Sequence, residues 1–226
     1  MTVRMGSRIS RLVSRLKKRY GALPAPPSDA FTLFVWGILT NHSRVRERDA
    51  ALRALKRSGA LTPEGMWKAA RTTLEDIVGL VGPYRDQRLL GLRKGVDMFR
   101  ANPQLTSAMG GPVPAALRAL KGMPQMGEAG AYRMLLFVGG QSVLPVDARV
   151  ARVATRLGYG EKVENFSKTA RSIRAALAPE LPASAAAYRQ TYLYLEHHGT
   201  SICTETDPQC EDCPLLSDCP YGKTSR

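Results

Sequence analysis

Four cysteines stand at positions 203, 210, 213 and 219 in the spacing Cys-x6-Cys-x2-Cys-x5-Cys, and the 202 residues before them contain none. A disulfide framework would spread its cysteines along a small secreted scaffold, whereas these share a 17-residue stretch of a medium-sized chain. The pattern points to a metal centre in a reducing compartment, so the sequons at Asn41 and Asn165 carry no meaning. Zinc and iron–sulfur clusters both accept four thiolates. Structural zinc usually shows two short Cys-x2-Cys pairs, but here only Cys210 and Cys213 form one. The outer two must wrap around a larger body, which favours [4Fe-4S].

At 226 residues the chain can bury a full core, as one domain or two lobes. Lys and Arg outnumber Asp and Glu by 33 to 19, a formal charge of +14. The planar guanidinium fork suits phosphate, so nucleic acid is the leading partner class, with solubility and an anionic membrane surface as the other readings. No apolar run approaches the ~20 residues of a membrane span, and no secretory signal opens the chain. A soluble, cytoplasmic protein with no membrane partner is expected. Residues 1–27 are rich in Arg and Lys and hold no acid, which is also the look of a mitochondrial transit peptide. The stripe Ile9, Leu12, Val13 and Leu16 argues for a docked basic helix instead.

Apolar residues recur at helical spacing throughout, Pro, Gly, Ser and Asp mark the breaks, and no alternating run argues for a sheet. The fold class expected is all-α. Ser28 or Asp29 can cap a helix carrying Phe31, Phe34, Val35, Ile38 and Leu39, and Thr62-Pro63-Glu64 is a cap with proline at the first helical position. Further helices are expected near 46–58, 84–100, 115–121, 128–138, 147–157, 167–178 and 184–198.

Two segments carry candidate chemistry. Residues 115–138 read as helix, tight turn, helix, with the turn at Gly122-Met123-Pro124-Gln125-Met126-Gly127. Such a turn aims backbone N–H groups outward at a helix N-terminus, where a phosphate binds without sequence preference; an ordinary helical hairpin reads the same way. Downstream, Val146-Asp147 places a carboxylate at a helix start, where an Asp also serves simply as an N-cap.

Together these segments resemble the endonuclease III branch of the helix-hairpin-helix DNA glycosylase superfamily. The cysteine spacing is that family's cluster motif. Met123 to Gly127 stands at its Leu-Pro-Gly-Val-Gly turn, and Val146-Asp147 at its Val-Asp with the catalytic aspartate. Gly82-Pro83-Tyr84-Arg85-Asp86-Gln87 resembles its Gly-x-Tyr loop, and Ile38-Leu39-Thr40-Asn41-His42-Ser43 its Leu-Ser-x-Gln-x-Thr stretch. The resemblance covers about residues 28–220. It implies two helical lobes flanking a DNA-binding groove: residues 28–144, a six-helix barrel-like lobe with the hairpin, and residues 1–27 with 145–226, an iron–sulfur lobe. It implies a [4Fe-4S] cluster on Cys203, Cys210, Cys213 and Cys219, and a monomer acting at the nucleoid on double-stranded DNA with a lesion, mismatch or abasic site. Family members extrude a base and cut its glycosidic bond.

The chain departs from the family at the nucleophile. Bifunctional members place a lysine two residues after the hairpin glycine, where it forms a Schiff base with the sugar C1′. That position is Ala129, and no lysine occurs between Gly122 and Glu161. The resemblance then implies a monofunctional DNA glycosylase of base-excision repair, with Asp147 activating water or stabilising charge on the sugar. A catalytically weak or inactive paralogue that binds damaged or structured DNA is the rival reading, and a lyase with a relocated amine the third. Tyr132, one turn beyond Ala129, faces the pocket or sits in the core. Gln125 replaces the middle glycine of the turn, which is expected to alter or widen it. His42, or Asn41, takes the place of the glutamine that fills the gap left by the base, and Pro83 that of an apolar wedge. DNA contact is expected at Gln125, Gly127, Asn41, His42, Pro83, Tyr84 and Arg85. The loop between Cys203 and Cys210 carries Glu205 and Asp207, which repel DNA, so binding should lean on the N-terminal helix or on Arg85, Arg88 and Arg93. His197-His198 should pack beneath the cluster without ligating it.

Overall fold

The computed structural model describes residues 6–40 and 43–224, and among these all regular structure is helical. The chain divides into two compact units, one of Pro26–Gly140 and one that joins Met1–Ala25 to Gln141–Arg226.

Helix α1 (Arg8–Tyr20) belongs to the second of these. Ser7 caps it by accepting the Ser10 N–H, and the Glu180 carboxylate takes the Ile9 N–H at 2.8 Å, so donors orphaned by the helix start are met. Ile9, Leu12, Val13 and Leu16 are all buried, and Arg8 reaches the carbonyls of Leu157 and Asp218 at 2.7 and 2.8 Å. Arg15 pairs with Asp218 at 2.5 Å. The basic N-terminal stretch is therefore a docked helix from Arg8 onward.

In the Pro26–Gly140 unit, α2 (Ala30–Thr40) is capped by Asp29, whose Oδ1 accepts the Thr32 N–H at 2.7 Å. Ala30, Phe31, Leu33, Phe34, Val35, Ile38 and Leu39 are buried, so the helix is apolar on most sides and runs through the core. It packs on α3 (Val45–Arg57), α6 (Arg85–Ala101) and α9 (Glu128–Phe137), and the unit also holds α4 (Pro63–Lys68), α5 (Arg71–Gly79), α7 (Leu105–Ala108) and α8 (Val113–Ala119). Thr62 caps α4 through the Gly65 N–H, with Pro63 in the first turn as its fixed φ favours. Helix α6 meets α2 at Gly95, where a Cβ would lie 2.1 Å from the Phe34 ring. That close approach lets Phe31 stand edge-on to Phe99 at 5.3 Å. Truncating Phe34, which is 1% exposed, would cost about 3–5 kcal/mol.

The cysteine-bearing unit continues with α10 (Ala148–Arg156), α11 (Phe166–Leu177), α12 (Ala185–Ser201) and α13 (Pro220–Thr224), with short 3-10 turns at Ala178–Glu180 and Leu216–Asp218. Helix α12 runs three residues past the expected end at 198, because Gly199 is not a terminator. It is the crossing point with α10, where a Cβ would sit 3.0 Å from the Cβ of Arg149. The extra turn carries the chain to Ile202, immediately before the first cysteine.

Candidate functional site

The four cysteines line one apolar cavity, closed by Val153, Leu157, His198, Ile202 and Leu215 among others. Three of their sulfurs are approached by N–H donors, and the Cys219 thiol also donates to the Arg156 carbonyl at 3.4 Å. Cys203 Sγ lies 3.3 Å from an Arg156 guanidinium nitrogen, Cys213 Sγ accepts the Leu215 N–H at 3.4 Å, and Cys219 Sγ accepts the Gly222 N–H at 3.4 Å. Burial pushes the Cys213 thiol up to about 11, reinforced by the neighbouring cysteines. It also raises Cys203, against the opposing pull of Arg156. A cationic core is what such thiols need in order to ionise.

Among the described residues no three His, Cys, Asp or Glu side chains converge as a site for a metal ion. A cubane cluster takes one thiolate at each iron rather than four on a single ion, and thiols ringed around a cavity with N–H groups aimed at their sulfurs are a donor set of that kind. The residues present therefore fit the group. His198 is 2% exposed, and burial pulls its imidazole down to about 4, with His197 adding to the effect. Its ring lies beneath the cavity, as expected of a packing residue.

The loop between Cys203 and Cys210 is tied to α10 instead of reaching outward. Arg156 donates to the carbonyls of Thr204 and Glu205 at 2.7 and 3.2 Å, and Arg152 donates to those of Cys203 and Gly199 at 2.8 and 2.6 Å. The Glu205 carboxylate stands 3.9 Å from Arg152. Two basic side chains are thus committed to holding an acidic loop.

Asp147, in the same unit, is the N-cap of α10. Its Oδ1 accepts the N–H groups of Arg149 and Val150, each at 3.0 Å, which is the cap geometry expected of an Asp at that position. The second oxygen, Oδ2, faces the hydroxyl of buried Tyr192 at 3.4 Å. Capping therefore uses one oxygen and fixes the plane of the carboxylate, while the other is held by a side chain of α12. Tyr192 was not singled out from sequence, because an aromatic in a helix rich in tyrosine reads as core.

In the Pro26–Gly140 unit, α8 and α9 form the hairpin around the turn 120–127. Gln125 adopts φ 55, in the left-handed region that favours glycine. The turn thus holds a glutamine in a glycine-type conformation. The Gln125 amide donates to the Gln87 carbonyl on α6 and lies over Gly91, where a Cβ would come within 2.5 Å of Nε2. Gly127 is the N-cap of α9 and supplies no side-chain cap. Ala129 and Tyr132 lie on α9, both half-buried, and Glu128 occupies its first turn.

The loop before α6 is held from inside. Arg88 is 2% exposed and donates to the Val81 carbonyl at 2.5 Å and to that of Pro83. It is not a DNA-facing cation, contrary to expectation, because the loop carbonyls turn inward and need a donor. Gly82 and Tyr84 take φ 53 and 72 around it, leaving Tyr84 52% exposed. Arg85 and Arg93 are exposed, with Arg85 paired to Asp86 at 3.2 Å. Tyr84, Gln87, Leu90, Lys94, Pro124 and Gln125 line an open groove of about 510 Å³ beside the hairpin turn. Asn41 and His42 lie outside the described residues.

No protein-family model matches the chain. It is 27% identical over 206 residues to endonuclease III homolog 2, chloroplastic, of Arabidopsis thaliana, covering 89% of this chain and 51% of the relative. It thus spans about half the length of that protein and of its homolog 1. Endonuclease III of Thermotoga maritima is 26% identical over 197 residues, 86% of this chain and 84% of the relative. Among solved structures, a non-covalent endonuclease III–DNA complex superposes with TM-score 0.75 at 21% identity, covering 96% of both chains. A thermostable thymine-DNA glycosylase gives 0.71 at 18%, covering 95% of this chain and 94% of the other. The chain is endonuclease III-like in sequence and has the all-helical fold of the helix-hairpin-helix DNA glycosylases.

Proposed function

We propose that this protein is a monofunctional DNA glycosylase of base-excision repair that acts on double-stranded DNA through Asp147. The observation that carries the reading is a carboxylate fixed at the N-terminus of α10, retained while the lysine position of the resemblance is Ala129. Alanine has no amine and forms no imine with the sugar, so hydrolysis is the chemistry left. The C1′–N bond breaks with its electron pair leaving on the base, a water oxygen bonds to C1′, and the base ends with the proton that water gave up. Asp147 either takes that proton or stabilises the positive charge on the sugar while the bond opens. The uncapped N-terminus of α9 and the exposed loop of Pro83 and Tyr84 are the surfaces proposed to meet the DNA. Cys203, Cys210, Cys213 and Cys219 would hold a [4Fe-4S] cluster, which when bound supplies a rigid cross-link of four segments and a one-electron centre. Ala129 also favours a second reading, a catalytically weak or inactive paralogue that binds damaged or structured DNA.

A panel of lesion and mismatch duplexes tests these readings. Strand breaks appearing only after hot alkali support monofunctional base release. Binding without release supports the inactive paralogue, and a covalent adduct trapped by borohydride supports a lyase with an amine elsewhere. Asp147→Asn is expected to lower base release by about 10²–10⁴-fold. Release at the parental rate would sink the assigned role of Asp147.

A further inference from the structure

We propose that Tyr20 fixes the hydrogen bond that His198 gives to Cys213 and thereby raises the reduction potential of the cluster, an inference that rests on the [4Fe-4S] reading above. The Tyr20 hydroxyl lies 2.7 Å from His198 Nδ1, and His198 Nε2 lies 3.5 Å from Cys213 Sγ. A neutral imidazole carries one N–H, and which nitrogen bears it is decided by the partner of the other. A phenol donating to Nδ1 leaves the hydrogen on Nε2, aimed at the sulfur. Ser201 Oγ, 3.2 Å from the Tyr20 oxygen, gives its one hydrogen to the nearer His197 carbonyl at 2.9 Å, and the phenolic hydrogen goes to its own closer acceptor, Nδ1. The Tyr20 ring is held edge-on to His197, with centroids 4.6 Å apart at 79°. His198 is 2% exposed, so no water replaces these partners readily.

The chain ends of this relay are 178 residues apart and meet because α1 docks on α12. Tyr20 is the last residue of α1. An N–H directed at a thiolate disperses the negative charge that reduction adds, so it favours the reduced cluster. Without the phenol, the imidazole is free to carry its hydrogen on Nδ1. Its Nε2 lone pair would then oppose the sulfur, and the reduced state would lose that support.

The experiment is spectroelectrochemistry on the iron-loaded protein and its variants, with histidine ¹⁵N NMR alongside. Tyr20→Phe keeps the ring contact with His197 and removes only the hydroxyl. It is expected to shift the midpoint potential to more negative values with iron content unchanged. His198→Phe, which removes the donor itself, should shift it at least as far. Tyr194→Phe is the control: its hydroxyl donates to the Gly21 carbonyl at 2.6 Å, beside Tyr20 but outside the relay, and its potential should match the parent. An iron-loaded Tyr20→Phe protein with the parental potential overturns the proposal. Equal shifts in Tyr20→Phe and Tyr194→Phe overturn it too, because they trace the effect to the docking of α1. The NMR spectrum of the parent should show His198 protonated at Nε2, and protonation at Nδ1 overturns the relay even if a variant loads poorly. A parent that binds no iron removes the cluster reading itself, an outcome distinct from the other three.

Discussion

Arg88→Met removes the inner clamp of the loop that carries Pro83 and Tyr84 while keeping a side chain of similar reach. It strands two carbonyls, those of Val81 and Pro83, each costing about 1–3 kcal/mol when buried without a donor. The relief of no longer burying a guanidinium offsets part of this, since desolvating such a charge costs several kcal/mol. A net loss of about 2 kcal/mol is expected. The effect on DNA binding should exceed the effect on folding. Two loop residues released from one conformation cost about 1–2 kcal/mol each to order again, which is on the order of thirty- to several-hundredfold in affinity if the loop meets the DNA. Arg88→Lys, a point charge able to satisfy one carbonyl at a time, should fall between the two. Urea melts give the first quantity and fluorescence anisotropy with a lesion duplex gives the second. A methionine variant that melts with the parent and binds with parental affinity would refute the clamp.

Gly91→Ala gains about 0.5–1 kcal/mol of helix propensity but pushes the Gln125 amide off the Gln87 carbonyl, so alone it should leave stability flat or lower. Combined with Gln125→Gly it should stabilise, and a double-mutant cycle in urea should show a coupling of about 1 kcal/mol; additive effects would mean the side chain does not sit there. Glu128→Gln removes a negative charge from the first turn of α9, and duplex affinity should rise about fivefold at low salt, with the gain fading as salt is added. Burial, with Glu180 next in effect, holds the Tyr159 phenol up to about 12, so its contribution is whole below pH 10 and is lost as pH rises from 10 through 12. Two units correspond to about 2.7 kcal/mol, which solvent screening reduces to about 1–2 kcal/mol. Tyr159→Phe should flatten that alkaline decline in a melting series, and an unchanged slope would count against the assignment.

The features that were legible in the sequence are those whose physics is local. The Thr62-Pro63 start of α4, the Asp29 cap of α2 and the apolar stripe of α1 each follow from residues within one or two turns, and the structure has all three. The four cysteines line one cavity, although among the described residues no three His, Cys, Asp or Glu side chains converge on a point that would hold a single metal ion. What sequence reasoning missed depends on a partner distant along the chain. The helix expected near 184–198 continues through Gly199, whose missing side chain admits α10. Gln125 looks like a disruption of the turn until Gly91, on another helix, leaves room for its side chain. Arg88 has the spacing of an exposed basic residue, and only the inward carbonyls of Val81 and Pro83 make it an interior one.

That last point alters what the +14 charge says about nucleic acid. A cation attracts phosphate across solvent only if it is not already neutralised or occupied at short range. Arg8, Arg152 and Arg156 donate to backbone carbonyls within their own unit, and Arg15 and Arg149 sit on Asp218 and Glu196. Their charges remain, but their forks are engaged, so they contribute a diffuse field rather than contacts. Bidentate grip on a phosphate needs a fork that can turn to meet it. Exposed Arg93 on α6 offers such a fork, and exposed Lys94 on the same helix lines the groove beside the hairpin turn, whereas the arginines of α10 are bound to the cluster loop itself. The arginine excess is therefore partly a framework device. In a chain whose cysteine segment contains few regular elements, guanidinium groups bridging distant carbonyls do the work that a ladder of backbone hydrogen bonds does elsewhere.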